Sequence, residues 1–151
     1  MSRRDSIQLT DAQVEAFLDS KKTLMIVSNG IGGFPHPLPM WFTRDEDGTI
    51  RMTTYRKSQK IRNIERDPRV SLLAESGTDY AELKGVVIYG QAELVDDSDL
   101  VVDTMQRIGG RSGPAQPVDD AMRQTASKRL VIRIKPERTV SWDHAKLGGV
   151  Y

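Results

Sequence analysis

Arg51-Met-Thr-Thr-Tyr-Arg-Lys-Ser-Gln-Lys60, continuing as Ile61-Arg-Asn-Ile-Glu-Arg-Asp-Pro68, is the stretch that decides how this chain is read. Ile50 to Tyr55 has the pattern of a strand, with Ile50, Met52 and Thr54 on one side and Arg51, Thr53 and Tyr55 on the other. A helix is predicted over Lys57 to Arg66, because Ile61 and Ile64 are its only apolar residues and share one face. Asp67-Pro68 ends it, since the residue before a proline avoids helical geometry. The start of that helix gathers unpaired backbone N–H groups, the Ser58 hydroxyl, and Lys57 and Lys60, three residues apart and so near neighbours on its surface. Charge, dipole and hydrogen-bond donors at one point suit an anion, above all a phosphate. Spacing alone leaves a solvated basic face open. Arg56, Arg62, Arg66 and Arg69 extend the charge toward a nucleic-acid patch, but Glu65, Asp67 and a net charge of +1 oppose that reading.

Working outward, Thr10 to Gln13 has the form of a capping box, and Val14, Phe17 and Leu18 mark one face of a helix over about 11–20. Thr23 to Ser28 reads as a strand, Asn29 to Gly33 as a turn, and Leu38 to Thr43 as a second strand. Asp45-Glu-Asp-Gly48 is a hairpin turn, with the glycine supplying a positive φ. Beyond Pro68, Arg69 to Glu75 alternates as a strand and Leu83 to Val95 as a longer one. Gly85 and Gly90 within it suggest bulges or close backbone approach. Ser98 to Ile108 and Val118 to Ser127 are predicted helices flanking a Gly- and Pro-rich loop over 109–117. Leu130 to Lys135 is a late strand broken at Pro136, and Thr139 to Trp142 a last one. The fold class is therefore mainly β with α: six or seven mostly antiparallel strands with three or four helices, fitting a small β-barrel in one domain over 1–151.

Composition narrows the chemistry. The 151 residues are 38% hydrophobic and 28% charged, the profile of a globular protein. No cysteine is present, which excludes disulfides and thiolate metal sites, and His36 and His144 are the only histidines. No metal site is expected. No apolar run approaches the roughly 20 residues of a membrane span. The N-terminal residues lack the apolar core of a signal peptide, so the expected location is cytoplasmic, with no membrane partner.

The ordered set Thr53, Thr54, Tyr55, Ser58-Gln-Lys60, Asn63 and Asp67-Pro68 resembles the cofactor-phosphate region of the pyridoxamine 5'-phosphate oxidase-like split β-barrel superfamily. Pro35-His-Pro-Leu-Pro-Met-Trp-Phe42 is similar to the strand that passes under the ring system in that family, and Pro136-Glu-Arg-Thr-Val-Ser-Trp142 to its late Pro-x-Arg followed by Trp. The resemblance runs from about Leu24 to Leu147. Gly85 stands where the true pyridoxamine phosphate oxidases carry a glutamine, and their pyridoxal-phosphate-holding tail has no counterpart after Trp142. The match is therefore closer to the branch using the 5-deazaflavin coenzyme F-420, the flavin/deazaflavin oxidoreductase B group, than to vitamin B6 oxidation.

The resemblance implies a split β-barrel and a homodimer with cofactor sites between subunits. It further implies reduction of an activated double bond of a small organic substrate by hydride transfer from F-420, with FMN as the alternative cofactor. Lys57, Ser58 and Lys60 would hold the phosphate. Thr53, Thr54 and the Pro39, Met40 and Trp41 stretch would border the ring, and Trp142 of a second subunit would close the pocket. Tyr80, His144 and Lys146 are candidates for the substrate side; a solvated tail for the last two, and a packed barrel-rim ring for Tyr80, are equally consistent with the sequence. No obligate general acid stands out. A non-catalytic flavin or haem binder of the same fold is a further alternative, in which His36 or His144 would be the only available histidine ligand.

Overall fold

The computed structural model describes residues 1–150. Seven strands, every neighbouring pair antiparallel, form one sheet: β1 (Thr23–Asn29), β2 (Pro35–Trp41), β3 (Thr43–Arg44), β4 (Ile50–Tyr55), β5 (Arg69–Ser76), β6 (Lys84–Val95) and β7 (Arg129–Asp143). Their order is β2-β1-β5-β6-β7-β4-β3. Five α-helices accompany them: α1 (Arg3–Ser6), α2 (Asp11–Asp19), α3 (Gln59–Arg66), α4 (Ser98–Gly110) and α5 (Asp120–Ser127). The result is the expected split-barrel class, mainly β with α, with one more helix than predicted. The addition is α1, a single turn closed by a capping box between Ser2 and Asp5.

The capping box predicted for α2 is present in both directions: Thr10 Oγ1 accepts from Gln13 N, and Gln13 Oε1 accepts from Thr10 N. The Asp45–Gly48 turn closes as read, with Gly48 at φ 88°. Several boundaries differ: the helix predicted to end at Ile108 continues to Gly110, taking Gly109 and Gly110 from the predicted loop, and the one predicted from Val118 starts at Asp120. The strand expected from Leu38 to Thr43 begins at Pro35 and breaks at Phe42, giving β2 and the short β3. Pro35, Pro37 and Pro39 alternate, so their nitrogens all point to the same side. Because β2 is an edge strand paired only to β1, that side can be the free edge, where no N–H is required.

The strand predicted to break at Pro136 instead continues as a single fifteen-residue β7. The β4 ladder ends at Ile134, and the β6 ladder shifts register between Tyr89 and Gly90, so the sheet accommodates the proline through a bulge. A Cβ on Gly90 would meet the Lys135 carbonyl, and one on Gly85 would overlap the Trp142 ring. Finally, α3 starts at Gln59, not at Lys57.

The main core lies between the sheet and helices α2 and α3, with Phe17, Leu18, Ile61 and Ile64 packed on Ile26, Met52, Leu72, Ile88 and Ile132. On the opposite face, α4 and α5 cover β7 through Val101, Val102, Ala126 and Val131. β4 is thus buried on both faces: Ile50 and Met52 join the main core, while Arg51 lies under α4, bonded to Asp103 and Thr104 at 2.9 and 3.0 Å and to Asp45 at 2.9 Å. No helix among the described residues is long and apolar enough to cross a membrane.

Candidate functional site

Strand β4 carries the predicted hydroxyls to the junction with α3. Thr54 Oγ1 accepts from Lys60 Nζ at 2.8 Å, and the Thr54 and Ser58 hydroxyls stand 3.3 Å apart. Ser58 is the N-cap of α3, yet its side chain makes no capping bond. Its hydroxyl and the first N–H groups of α3, those of Gln59 and Lys60, are therefore not engaged by helix closure. Lys60 is only 7% exposed, although it belongs to the residue type least often buried. Burial, and then the nearby Arg129, push its ammonium below the ordinary value of 10.5.

Arg129 is the residue that sequence reasoning missed. It opens β7 opposite Tyr55, so it shares that residue's side of the sheet, and its guanidinium stacks on the Tyr55 ring at 4.4 Å. Nη1 donates to Thr53 Oγ1 at 3.2 Å, while the buried Nε has no acceptor. Among the described residues neither Lys60 nor Arg129 has a carboxylate within ion-pair distance. A buried ammonium and a half-buried guanidinium without counter-ions are costly in a folded protein unless an anion completes them. The available signal was the Lys128-Arg129 pair just before β7, but its meaning depends on a strand pairing that bridges 74 positions.

The neighbouring cations behave differently. Lys57 lies outside α3, in the turn before it, and is exposed. Arg56 is bound by both carboxylate oxygens of Asp96. Arg69 closes on Asp67, and Arg66 donates to the Asn29 carbonyl. The surface charge that suggested a broad basic patch is thus mostly spent within the fold.

On the α4 face of β4, a cleft of about 680 Å³ opens between β2, β4 and the end of α4. Pro39, Met40, Trp41 and Thr53 line it, joined by Phe42, Met105, Ile108 and Gly109, and by Lys22, Arg111 and Arg129. Trp41 is 69% exposed beside it. Thr53 and Thr54 face opposite sides of β4, so the first joins the cleft and the second joins Ser58 and Lys60. Arg129 connects the two, lining the cleft while its charge acts on Lys60.

The other candidates lie elsewhere. Trp142 is half-buried over Gly85 on β6. It lies at the other end of β7 from Arg129, paired with Gly85 of β6, and does not line the cleft that Arg129 borders. His144 Nδ1 lies 2.7 Å from the Tyr80 carbonyl, with the two rings 4.5 Å apart. Lys146 Nζ reaches Gln13 Oε1 at 2.9 Å and the Gln8 carbonyl. These contacts fasten the residues after β7 to the loop before β6 and to the N-terminal segment.

The sequence matches the family model described as pyridoxamine 5'-phosphate oxidase over residues 10–143. The fold is similar to that of the conserved hypothetical protein Rv2991 from Mycobacterium tuberculosis, with 36% identity, coverage of 100% of this chain and 95% of that one, and a TM-score of 0.88. It is also similar to an F-420 reductase (23% identity, 83% and 94% coverage, TM-score 0.64) and to the haem storage protein HutZ from Vibrio cholerae (19% identity, 88% and 96% coverage, TM-score 0.67). These last two likenesses establish the fold alone. No curated protein matches the sequence.

Proposed function

This chain belongs to the pyridoxamine 5'-phosphate oxidase family, and on that premise we propose that it is an oxidoreductase that uses the deazaflavin F-420 to reduce an activated double bond of a small organic substrate. The observation that carries this reading is Lys60, buried without a counter-ion beside the Ser58 and Thr54 hydroxyls and the first N–H groups of α3, with the unpaired charge of Arg129 close enough to act on it. A phosphate would satisfy the ammonium, the hydroxyl and the backbone donors together. Lys57, exposed in the preceding turn, adds charge at the rim.

Bound in this position, a deazaflavin would supply a hydride, and the protein supplies binding, orientation and electrostatics. Ser58 and Lys60 fix the phosphate end. Thr53 and the Pro39–Trp41 stretch border the ring, and the cleft beyond them is the substrate side. Trp142 lies at the other end of β7 from Arg129, so in this reading the Trp142 that closes the pocket is that of a second subunit and the active form is a homodimer. Tyr80, His144 and Lys146, already engaged in holding the chain's end, act through that partner contact or only as structural ties. The proton completing the reduction comes from water.

FMN carries a phosphate of the same kind and is the alternative cofactor; a flavin or haem carrier without turnover is the alternative function. Titration of the purified protein with FMN, with reduced F-420 and with haem separates them. Saturable F-420 binding at micromolar levels with turnover of an enone supports the proposal. Binding of haem alone sinks it.

A further inference from the structure

Resting on the reading of the cleft as the substrate side, we propose that it takes a large, mostly apolar substrate bearing an acid group, and that Gly109 is the specificity-determining residue that leaves room for it. The walls are Pro39, Trp41, Phe42, Met105 and Ile108, and no Asp or Glu lines the cleft. Its three cations are not equivalent. The Arg111 guanidinium is consumed by the backbone carbonyls of Phe42, Leu18, Asp19 and Lys21 and stacks on the Phe42 ring at 4.3 Å. Lys22 is exposed with no partner among the described residues. The buried Nε of Arg129 has no acceptor. That nitrogen is out of a ligand's reach, but the rest of the guanidinium lines the cleft with no carboxylate within ion-pair distance; a neutral apolar ligand would desolvate this charge without compensation, whereas an acid group pairs with it.

Gly109 has no structural reason to be a glycine. It lies within α4 and has no positive φ, and the helix ends at Arg111 in right-handed geometry, so no left-handed cap calls for it. A Cβ there would meet nothing within 4 Å. Glycine is a poor helix former, so its use here is locally unfavourable. What it does is keep the cleft wall at the end of α4 flush with the backbone, in space that a side chain would take from a ligand.

The probe is 2-naphthoate, titrated calorimetrically into the full chain beside its neutral methyl ester, with Gly109→Leu, Gly109→Ala and Arg129→Gln as variants. The acid should bind at least about tenfold tighter than the ester, the worth of one charge-assisted hydrogen bond. Arg129→Gln should abolish that preference, and Gly109→Leu should weaken naphthoate by at least the same factor. Gly109→Ala should melt at or above the wild-type temperature, which a glycine required by the fold would not allow. Absent naphthoate binding, an ester bound as tightly as the acid, or unchanged binding in Gly109→Leu would each overturn the inference. Selective naphthoate binding in a protein that binds neither F-420 nor FMN would overturn the cofactor reading instead and keep the selectivity of the cleft.

Discussion

Replacing Lys60 by methionine tests whether this ammonium serves a ligand or the fold. In the free protein it donates to one acceptor, Thr54 Oγ1 at 2.8 Å, and lies close enough to Arg129 to be repelled by it. A hydrogen bond from a charged donor is worth about 1.5–3 kcal/mol, while the effective cost of burying an unpaired ion is several kcal/mol. Methionine keeps the length of the chain and removes both. The unliganded Lys60→Met protein should therefore be as stable as wild type or more so, by up to about 2 kcal/mol in urea denaturation. Affinity for a cofactor phosphate should fall by one charge-assisted interaction, about 1.5–3 kcal/mol or roughly ten- to 150-fold, read by FMN or F-420 titration. Greater stability at the expense of binding is the signature of a functional residue. A variant that loses more than about 2 kcal/mol of stability while its cofactor affinity stays at the wild-type level would refute this reasoning and make Lys60 a structural residue.

Further outcomes follow from the same contacts. The unfolded chain holds the Lys60 proton up to 10.5, while the folded protein releases it at lower pH, so within that interval the unfolded state binds more protons. The unliganded protein should gain stability there as pH rises, phosphate affinity should fall over the same interval, and both slopes should vanish in Lys60→Met. Gly85→Val places a side chain against the Trp142 ring and should cost about 1–3 kcal/mol in denaturation, with a change in tryptophan fluorescence. Arg111→Ala removes the guanidinium that caps the carbonyls after α2 and should lower stability by about 2–4 kcal/mol. Arg51→Met removes the buried guanidinium from Asp45 and Asp103, but both carboxylates keep Arg107 and solvent contact, so a loss of about 1–3 kcal/mol is expected.

Local patterns were readable where local physics decides them. Ile50–Tyr55 alternates and forms β4 with the predicted bounds, and Thr10 with Gln13 closes the cap of α2. Gly85 and Gly90 mark a close approach and a bulge, as strand glycines do. Pro136 misled because a proline inside an alternating run normally ends it; here a one-residue bulge at Glu137, in β7 itself, absorbs it. The cluster around Lys60 was half legible. Ser58 and Lys60 stand out by motif, but placing Lys57 and Lys60 on one helical surface overlooked the start of α3 at Gln59, and lysine burial has no sequence signature. Arg129 and Gly109 were out of reach for one reason: each acquires its role from residues brought close by the β4–β7 pairing or the packing of α4, and a single chain read in order shows neither.

The most direct test of the account is titration of the purified wild-type protein with reduced F-420 and with FMN, followed by absorbance and fluorescence. Saturable binding of at least one of them at micromolar levels is expected, with F-420 the tighter, together with competition by inorganic phosphate. Failure of both to bind at those levels would contradict it.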